Sequence, residues 1–130
     1  MKSVHQLILL FNLVILLIVG GCSDNRKIDY QLQEQCGKQC EEYFKKNYLD
    51  KVGGHYKNHY NKQLNKCFIL VFYDDGGPTE MLFDVNENKP VGYYTLYRVG
   101  KESCSMPSPS GNECKSRGDW DLMIKPYMEE

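Results

Sequence analysis

The feature that most limits what this chain can fold into is the apolar run at residues 7–19, close to the amino terminus. A membrane-spanning helix needs about 20 apolar residues to cross a hydrocarbon core of roughly 30 Å, and this run is shorter. Lys2 precedes it, and the small residues Gly20 and Gly21 follow it. A cation, a short apolar centre and a small-residue exit are typical of a secretory signal peptide. The sequence therefore predicts that residues 1–21 are removed.

The exit of this segment consists of an aliphatic residue, two small residues and a cysteine, at Val19, Gly20, Gly21 and Cys22. The pattern resembles the lipobox of bacterial lipoproteins. The resemblance implies cleavage before Cys22, a diacylglycerol on its thiol, and acylation of the new amino terminus with a fatty acid such as palmitate. More than one acyl chain makes such an anchor stable, because each buried methylene contributes about 0.8 kcal/mol. The alternative is an ordinary secretory signal followed by an unmodified cysteine.

In the lipoprotein family that this segment resembles, the residue after the cysteine indicates the membrane in which the protein is anchored. In lipoproteins of bacteria with two membranes, aspartate at that position favours retention in the inner membrane. Here the position holds Ser23, and Asp24 follows one residue later. The resemblance therefore implies a protein anchored in the outer membrane and facing the periplasm.

The remaining sequence is predicted to form a short tether, residues 22–28, and a single domain, residues 29–130. The full chain has a net charge of −1, and no basic excess exists to hold nucleic acid. Residues 29–48 place apolar side chains at helical spacing, with charged residues on the opposite side. They predict an amphipathic amino-terminal helix.

Alternating or continuous apolar residues predict three strands, at residues 65–73, 79–85 and 91–99. Polar and glycine-rich turns separate these strands, so they are expected to form an antiparallel meander. Residues 55–61 have no clear period and are predicted as loop or a short helical turn. Residues 101–118 are predicted as a long irregular loop, and Asp119 is predicted to cap a short final helix that Pro126 ends or kinks. The expected fold is α+β, with the first helix packed on a three-stranded sheet.

Five cysteines follow Cys22, in a chain predicted to enter an oxidising compartment where disulfides persist. Cys104 and Cys114 flank a loop rich in proline, glycine and serine, and they are predicted to form a disulfide. Cys36 or Cys40 on the helix is expected to pair with Cys67 on the central strand, and the favoured pair is Cys36–Cys67. Cys40 then remains, as a buried thiol or as a link between chains.

A zinc site is the alternative use of these cysteines. Cys36 and Cys40, like His55 and His59, have the spacing of two ligands on one helical face, and four such ligands suit zinc. Because oxidation competes with metal binding outside the cytoplasm, disulfides are the favoured use of these cysteines and no cofactor is predicted. No catalytic motif surrounds any cysteine or histidine, so the sequence predicts no enzyme.

Three segments of the body, residues 59–68, 82–92 and 124–128, resemble small bacterial lipoproteins and exported proteins to which no activity is assigned. The resemblance implies neither an activity nor a site. The sequence thus predicts a non-catalytic binding or structural module, with tyrosine-bearing strands that contact another envelope protein. Two alternatives are an inhibitor of a hydrolase such as lysozyme, acting through residues 106–110 of the Cys104–Cys114 loop, and a metal carrier.

The lipid anchor is directly testable. Cells grown with radiolabelled palmitate are expected to yield labelled protein, because acyl chains are attached at Cys22. The measurement is autoradiography of the purified protein. Unlabelled protein, or soluble product that keeps its first 21 residues, would contradict the prediction.

Overall fold

The structure, a computed structural model, describes residues 22–107 and 113–129, with side chains from residue 26 onward. The chain divides into two compact units, Met1–Leu32 and Gln33–Glu130. The second unit contains the whole sheet, the second helix and the first helix from Gln33 onward. The elements in chain order are α1 (Cys22–Tyr48), β1 (His55–Asn61), β2 (Lys66–Asp74), β3 (Pro78–Asp84), β4 (Lys89–Leu96), β5 (Glu102–Ser105) and α2 (Arg117–Met128).

The sheet is an antiparallel meander of five strands in the order β1-β2-β3-β4-β5. The predicted three-stranded meander is therefore wrong. The three predicted strands correspond to β2, β3 and β4, and the two additional strands lie in segments that were predicted as loops. The first helix ends at Tyr48 as expected but begins at Cys22, so residues 22–28, predicted as a tether, are helical.

Strand β1 forms because of its partner rather than its own composition. Its sequence is polar, yet all seven of its residues pair with β2, from His55 opposite Phe72 to Asn61 opposite Lys66. The turn between the two strands holds Asn65 at φ 51°, a left-handed conformation that asparagine tolerates better than most residues. The side-chain oxygen of Asn61 accepts a hydrogen bond from the Leu64 N–H at 2.9 Å, which closes the turn.

Strand β2 is buried on both faces. Successive side chains of a strand point in opposite directions, and those of β2 are buried on either side. Cys67, Ile69 and Val71 face one side, and Phe68 and Leu70 face the other; all five are buried. Helix α1 packs on the Cys67 side and α2 on the Phe68 side. The sequence predicted that the first helix covers one face of the sheet, and the structure has a helix on each face.

Aromatic rings fill the layer between α1 and the sheet. The closest ring pairs have centroids 4.9–5.5 Å apart and tilted planes, a favourable arrangement for aromatic side chains. These pairs join a helix residue to a strand residue: Phe44 with Tyr56, Tyr43 with Phe83, and Tyr48 with Tyr73. Much of the tyrosine in this chain is therefore structural.

Helix α2 begins with a capping box at Ser116. The Ser116 hydroxyl accepts from the Asp119 N–H, and the Asp119 carboxylate accepts from the Ser116 N–H at 3.0 Å. Asp119 therefore completes the cap three residues inside the boundary, and its predicted role as the cap residue itself is wrong. Pro126 lies within the helix, which continues to Met128, and the Pro126 carbonyl accepts a hydrogen bond from the Asn61 side-chain amide at 2.8 Å.

The core beneath α2 is centred on Trp120, whose side chain is completely buried. Its indole N–H donates to the carboxylate of buried Glu80 at 2.9 Å. The Arg117 guanidinium forms an ion pair with the same carboxylate and lies over the Tyr94 ring. A buried carboxylate is tolerated only with such partners, so this group fixes the position of α2 on the sheet.

Replacement of this indole gives a stability test. Trp120→Ala is expected to lower the free energy of unfolding by about 3–5 kcal/mol, because it leaves a cavity and removes a partner of Glu80. Leu122→Ala, on the exposed side of the same helix, is the control and should change stability by less than about 0.5 kcal/mol. Urea denaturation followed by far-UV circular dichroism measures both, and equal effects would contradict this account.

Candidate functional site

Three buried cysteines meet where α1 crosses β2. Cys36 and Cys40 lie one turn apart on α1, and Cys67 lies on the strand beneath them. Cys36 and Cys67 are a disulfide pair in the structure, with Cα atoms 5.4 Å apart, a separation within the usual range for a disulfide. This pair links the first helix to the central strand of the sheet.

Cys40 is the free cysteine of this cluster. Its Sγ lies 3.4 Å from the Cys67 Sγ and 3.6 Å from the Phe68 carbonyl oxygen, to which the thiol donates. Burial raises the pKa of the Cys40 thiol to about 12. The group is therefore a protonated thiol at neutral pH, held against a disulfide.

The structure does not bring together Cys36, Cys40, His55 and His59, the four residues of the alternative zinc site. His59 pairs with Phe68 and His55 with Phe72, whose ring it stacks on, so both histidines lie on the α2 face of the sheet. Cys36 and Cys40 lie on the α1 face. Three sulfur atoms, those of Cys36, Cys40 and Cys67, approach within 4.8 Å of one another, but two of them are joined in the disulfide. A single thiol then remains as a ligand.

The second disulfide pair joins Cys104 on β5 to Cys114 before α2, with Cα atoms 5.4 Å apart. The predicted inhibitory segment, residues 106–110, lies inside this loop. Met106 does not protrude, because its side chain is buried in the core beneath α2. Residues 108–112 lie outside the described residues.

A cleft of about 300 Å³ opens at the end of the sheet where the β1–β2 and β3–β4 turns meet the last turn of α2. Its walls are mainly apolar, and charged groups lie at its rim. The apolar lining consists of Leu64, Phe68, Pro90, Val91, Pro107 and Tyr127, and the charged residues are Lys66, Asp84, Glu87 and Lys89.

The charged groups of this cleft differ in their ion-pair and hydrogen-bond partners. The Lys66 ammonium donates to Asp84 at 2.6 Å and to Glu87 at 2.5 Å, and these bonds raise the pKa of Lys66 to about 12. Asp84 is almost fully buried and also accepts from the Glu87 N–H. Lys89 is exposed and, within residues 22–107 and 113–129, it has no ion-pair partner.

This cleft is not among the sites that the sequence predicts. Its residues come from two turns that are separated by strands β2 and β3, and from the end of α2, which lies more than thirty positions beyond the second turn. The available signal was a pair of polar turns, each flanked by apolar residues, but nothing in that pattern predicts that α2 ends beside them.

The tyrosine-bearing strand, predicted as a contact surface, is divided between the interior and the exterior. Tyr94 is buried in the core, whereas Tyr93, Leu96, Tyr97 and Val99 are exposed. The predicted lipidation residue, Cys22, is the first residue of α1, and its side chain and residues 19–21 lie outside the description. Among the helices that the structure describes, none is long and apolar enough to span a membrane.

No protein-family model matches this chain, and no curated protein or solved structure is significantly similar to it. The function must therefore be argued from the chain itself.

The protonation state of Cys40 is testable by alkylation. In the folded protein at pH 8, a thiol with a pKa near 12 is ionised in about one molecule in ten thousand. Iodoacetamide is therefore expected to modify Cys40 at least about 100-fold more slowly in the folded than in the urea-unfolded protein. Peptide mapping assigns the label, and Cys40→Ser is the control. Equal rates in the two states would contradict the buried, protonated thiol.

Proposed function

We propose that this chain is a lipid-anchored protein of the bacterial envelope that acts by binding a small amphipathic anion in the cleft beside Lys89. The lipobox pattern that ends at Cys22 supports the anchor and an outer-membrane location facing the periplasm. The observation that carries the binding proposal is the cleft itself, an apolar cavity with a single unpaired cation at its rim among the described residues.

The size and lining of the cleft favour a small molecule. Ligand sites commonly have volumes of about 300–1,000 Å³, with mainly apolar walls and a few polar groups that orient the ligand. At about 300 Å³, this cleft suits a short acyl or aromatic body. The rings of Phe68 and Tyr127, with centroids 5.2 Å apart in an edge-to-face contact, form one wall.

The unpaired ammonium of Lys89 supports an anionic group on that ligand. Asp84 and Glu87 share the single Lys66 ammonium, so both carboxylates are held in ion pairs and the three groups together carry a net charge of −1. The Lys89 ammonium is the cation of the cleft that has no ion-pair partner among the described residues, and it offers hydrogen-bond donors to a carboxylate. The same pairing argues against acid–base catalysis, because both carboxylates are engaged with a lysine rather than aimed at a substrate.

The inhibitor and the envelope-protein partner remain predictions, and no described contact favours either over ligand binding. The exposed Tyr93 and Tyr97 are available to a partner, and an inhibitor would retain one specific hydrolase in a pull-down. The metal carrier that would use Cys36, Cys40, His55 and His59 receives no support from their placement on opposite faces of the sheet.

Ligand selectivity tests the proposal. Octanoate, octanol and octylamine share an apolar tail, and octanoate is expected to bind tightest because only its head group pairs with Lys89. Lys89→Gln should weaken octanoate about fivefold, the equivalent of about 1 kcal/mol for an exposed ion pair. Lys101→Gln, an exposed lysine outside the cleft, is the matched control. Backbone chemical-shift titration measures the affinities and locates the site.

Two outcomes would contradict the proposal. Tighter binding of octylamine than of octanoate would show that the rim selects cations. Shift changes that avoid the β3–β4 turn and Tyr127 would show that the cleft is not the site.

A further inference from the structure

In the three-cysteine cluster, which is separate from the ligand-binding cleft, a free thiol lies in contact with a disulfide. Cys36 and Cys40 lie on successive turns of α1, and both side chains are buried against β2. The Cys36 Sγ is bonded to the Cys67 Sγ, and the Cys40 Sγ lies 3.4 Å from that same atom. A third sulfur atom in contact with a disulfide is the arrangement that thiol–disulfide exchange requires.

We propose that Cys67 is a shared partner for two helix cysteines, so that the bridge between α1 and β2 can exchange from Cys36–Cys67 to Cys40–Cys67 within the folded protein. Each of the two covalent forms links the same helix to the same strand. They differ by one helical turn in the position of the bridge on α1.

The exchange balances without an external oxidant or reductant. The Cys40 thiol loses its proton to hydroxide, and the thiolate attacks the Cys67 sulfur. The Cys40–Cys67 bond forms as the Cys36–Cys67 bond breaks, and the electron pair of the broken bond remains on the Cys36 sulfur. Cys36 then takes up a proton from water, so the protein again contains one disulfide and one thiol.

The surroundings make the exchange slow at neutral pH. Burial keeps the Cys40 thiol protonated, and only a thiolate attacks a disulfide. The thiol also lies 3.6 Å from the Phe68 carbonyl oxygen, which accepts a hydrogen bond from it. Direct bonding between Cys36 and Cys40 is disfavoured, because their Cβ vectors run nearly parallel along one helix.

The central experiment removes the resident partner. Cys36→Ser, exported to an oxidising compartment or reoxidised with oxidised glutathione, is expected to carry a Cys40–Cys67 disulfide in most molecules. Peptide mapping under non-reducing conditions identifies the bridge. Cys40→Ser should keep Cys36–Cys67, and Cys67→Ser should have no bridge between α1 and β2. Folded Cys36→Ser protein with thiols at both Cys40 and Cys67 would overturn the proposal.

A measurement on the wild-type protein tests the disulfide exchange even if Cys36→Ser fails to fold. Wild-type protein is held folded at mildly alkaline pH, quenched in acid, then unfolded and alkylated. A growing fraction of molecules is expected to carry the alkyl group on Cys36 instead of Cys40, with the bridge moved to Cys40–Cys67. Alkylation that stays confined to Cys40 at all times would overturn the exchange.

Discussion

The burial of β2 on both faces is the constraint on which the rest of this structure depends. A strand with apolar side chains in both directions must be covered twice, and this chain supplies one helix for each side. The Cys67 side receives α1 with its disulfide and aromatic layer, and the Phe68 side receives α2 with the Glu80–Trp120 contact. The flanking strands extend the surface on which both helices pack.

The parts of the fold that the sequence predicts are those whose signal is local. Strand β2 is a continuous apolar run, and α1 has helical spacing of apolar and charged residues, so both were identified. Strand β1 was missed because its polar residues become a strand only through pairing with β2. Strand β5 was missed because a strand of four residues, one of which is Cys104, is too short to show a period. The start of α2 was misplaced by three residues because Asp119 participates in the cap from inside the helix.

The candidate sites also differ in whether a local sequence pattern predicts them. A disulfide between a helix cysteine and Cys67 follows from a helix stripe and a strand face, both of which are readable from spacing, but spacing does not decide between Cys36 and Cys40. The separation of His55 and His59 from the cysteines follows from the strand conformation of β1, which spacing did not indicate. The cleft beside Lys89 depends on where α2 ends relative to two turns. That is a tertiary relation, and no local pattern encodes it.

Helix α2 contacts both β1 and β5, which lie at opposite margins of the sheet and share no hydrogen bonds with each other. Its first turn is tied near β5 by the Glu102 carboxylate, and its last turn is tied to β1 through Asn61. Helix α2 thus links the two edge strands across one face of the sheet. Unpaired strand edges are templates for intermolecular pairing, so detachment of α2 would expose the apolar Phe68 face of the sheet between two such edges.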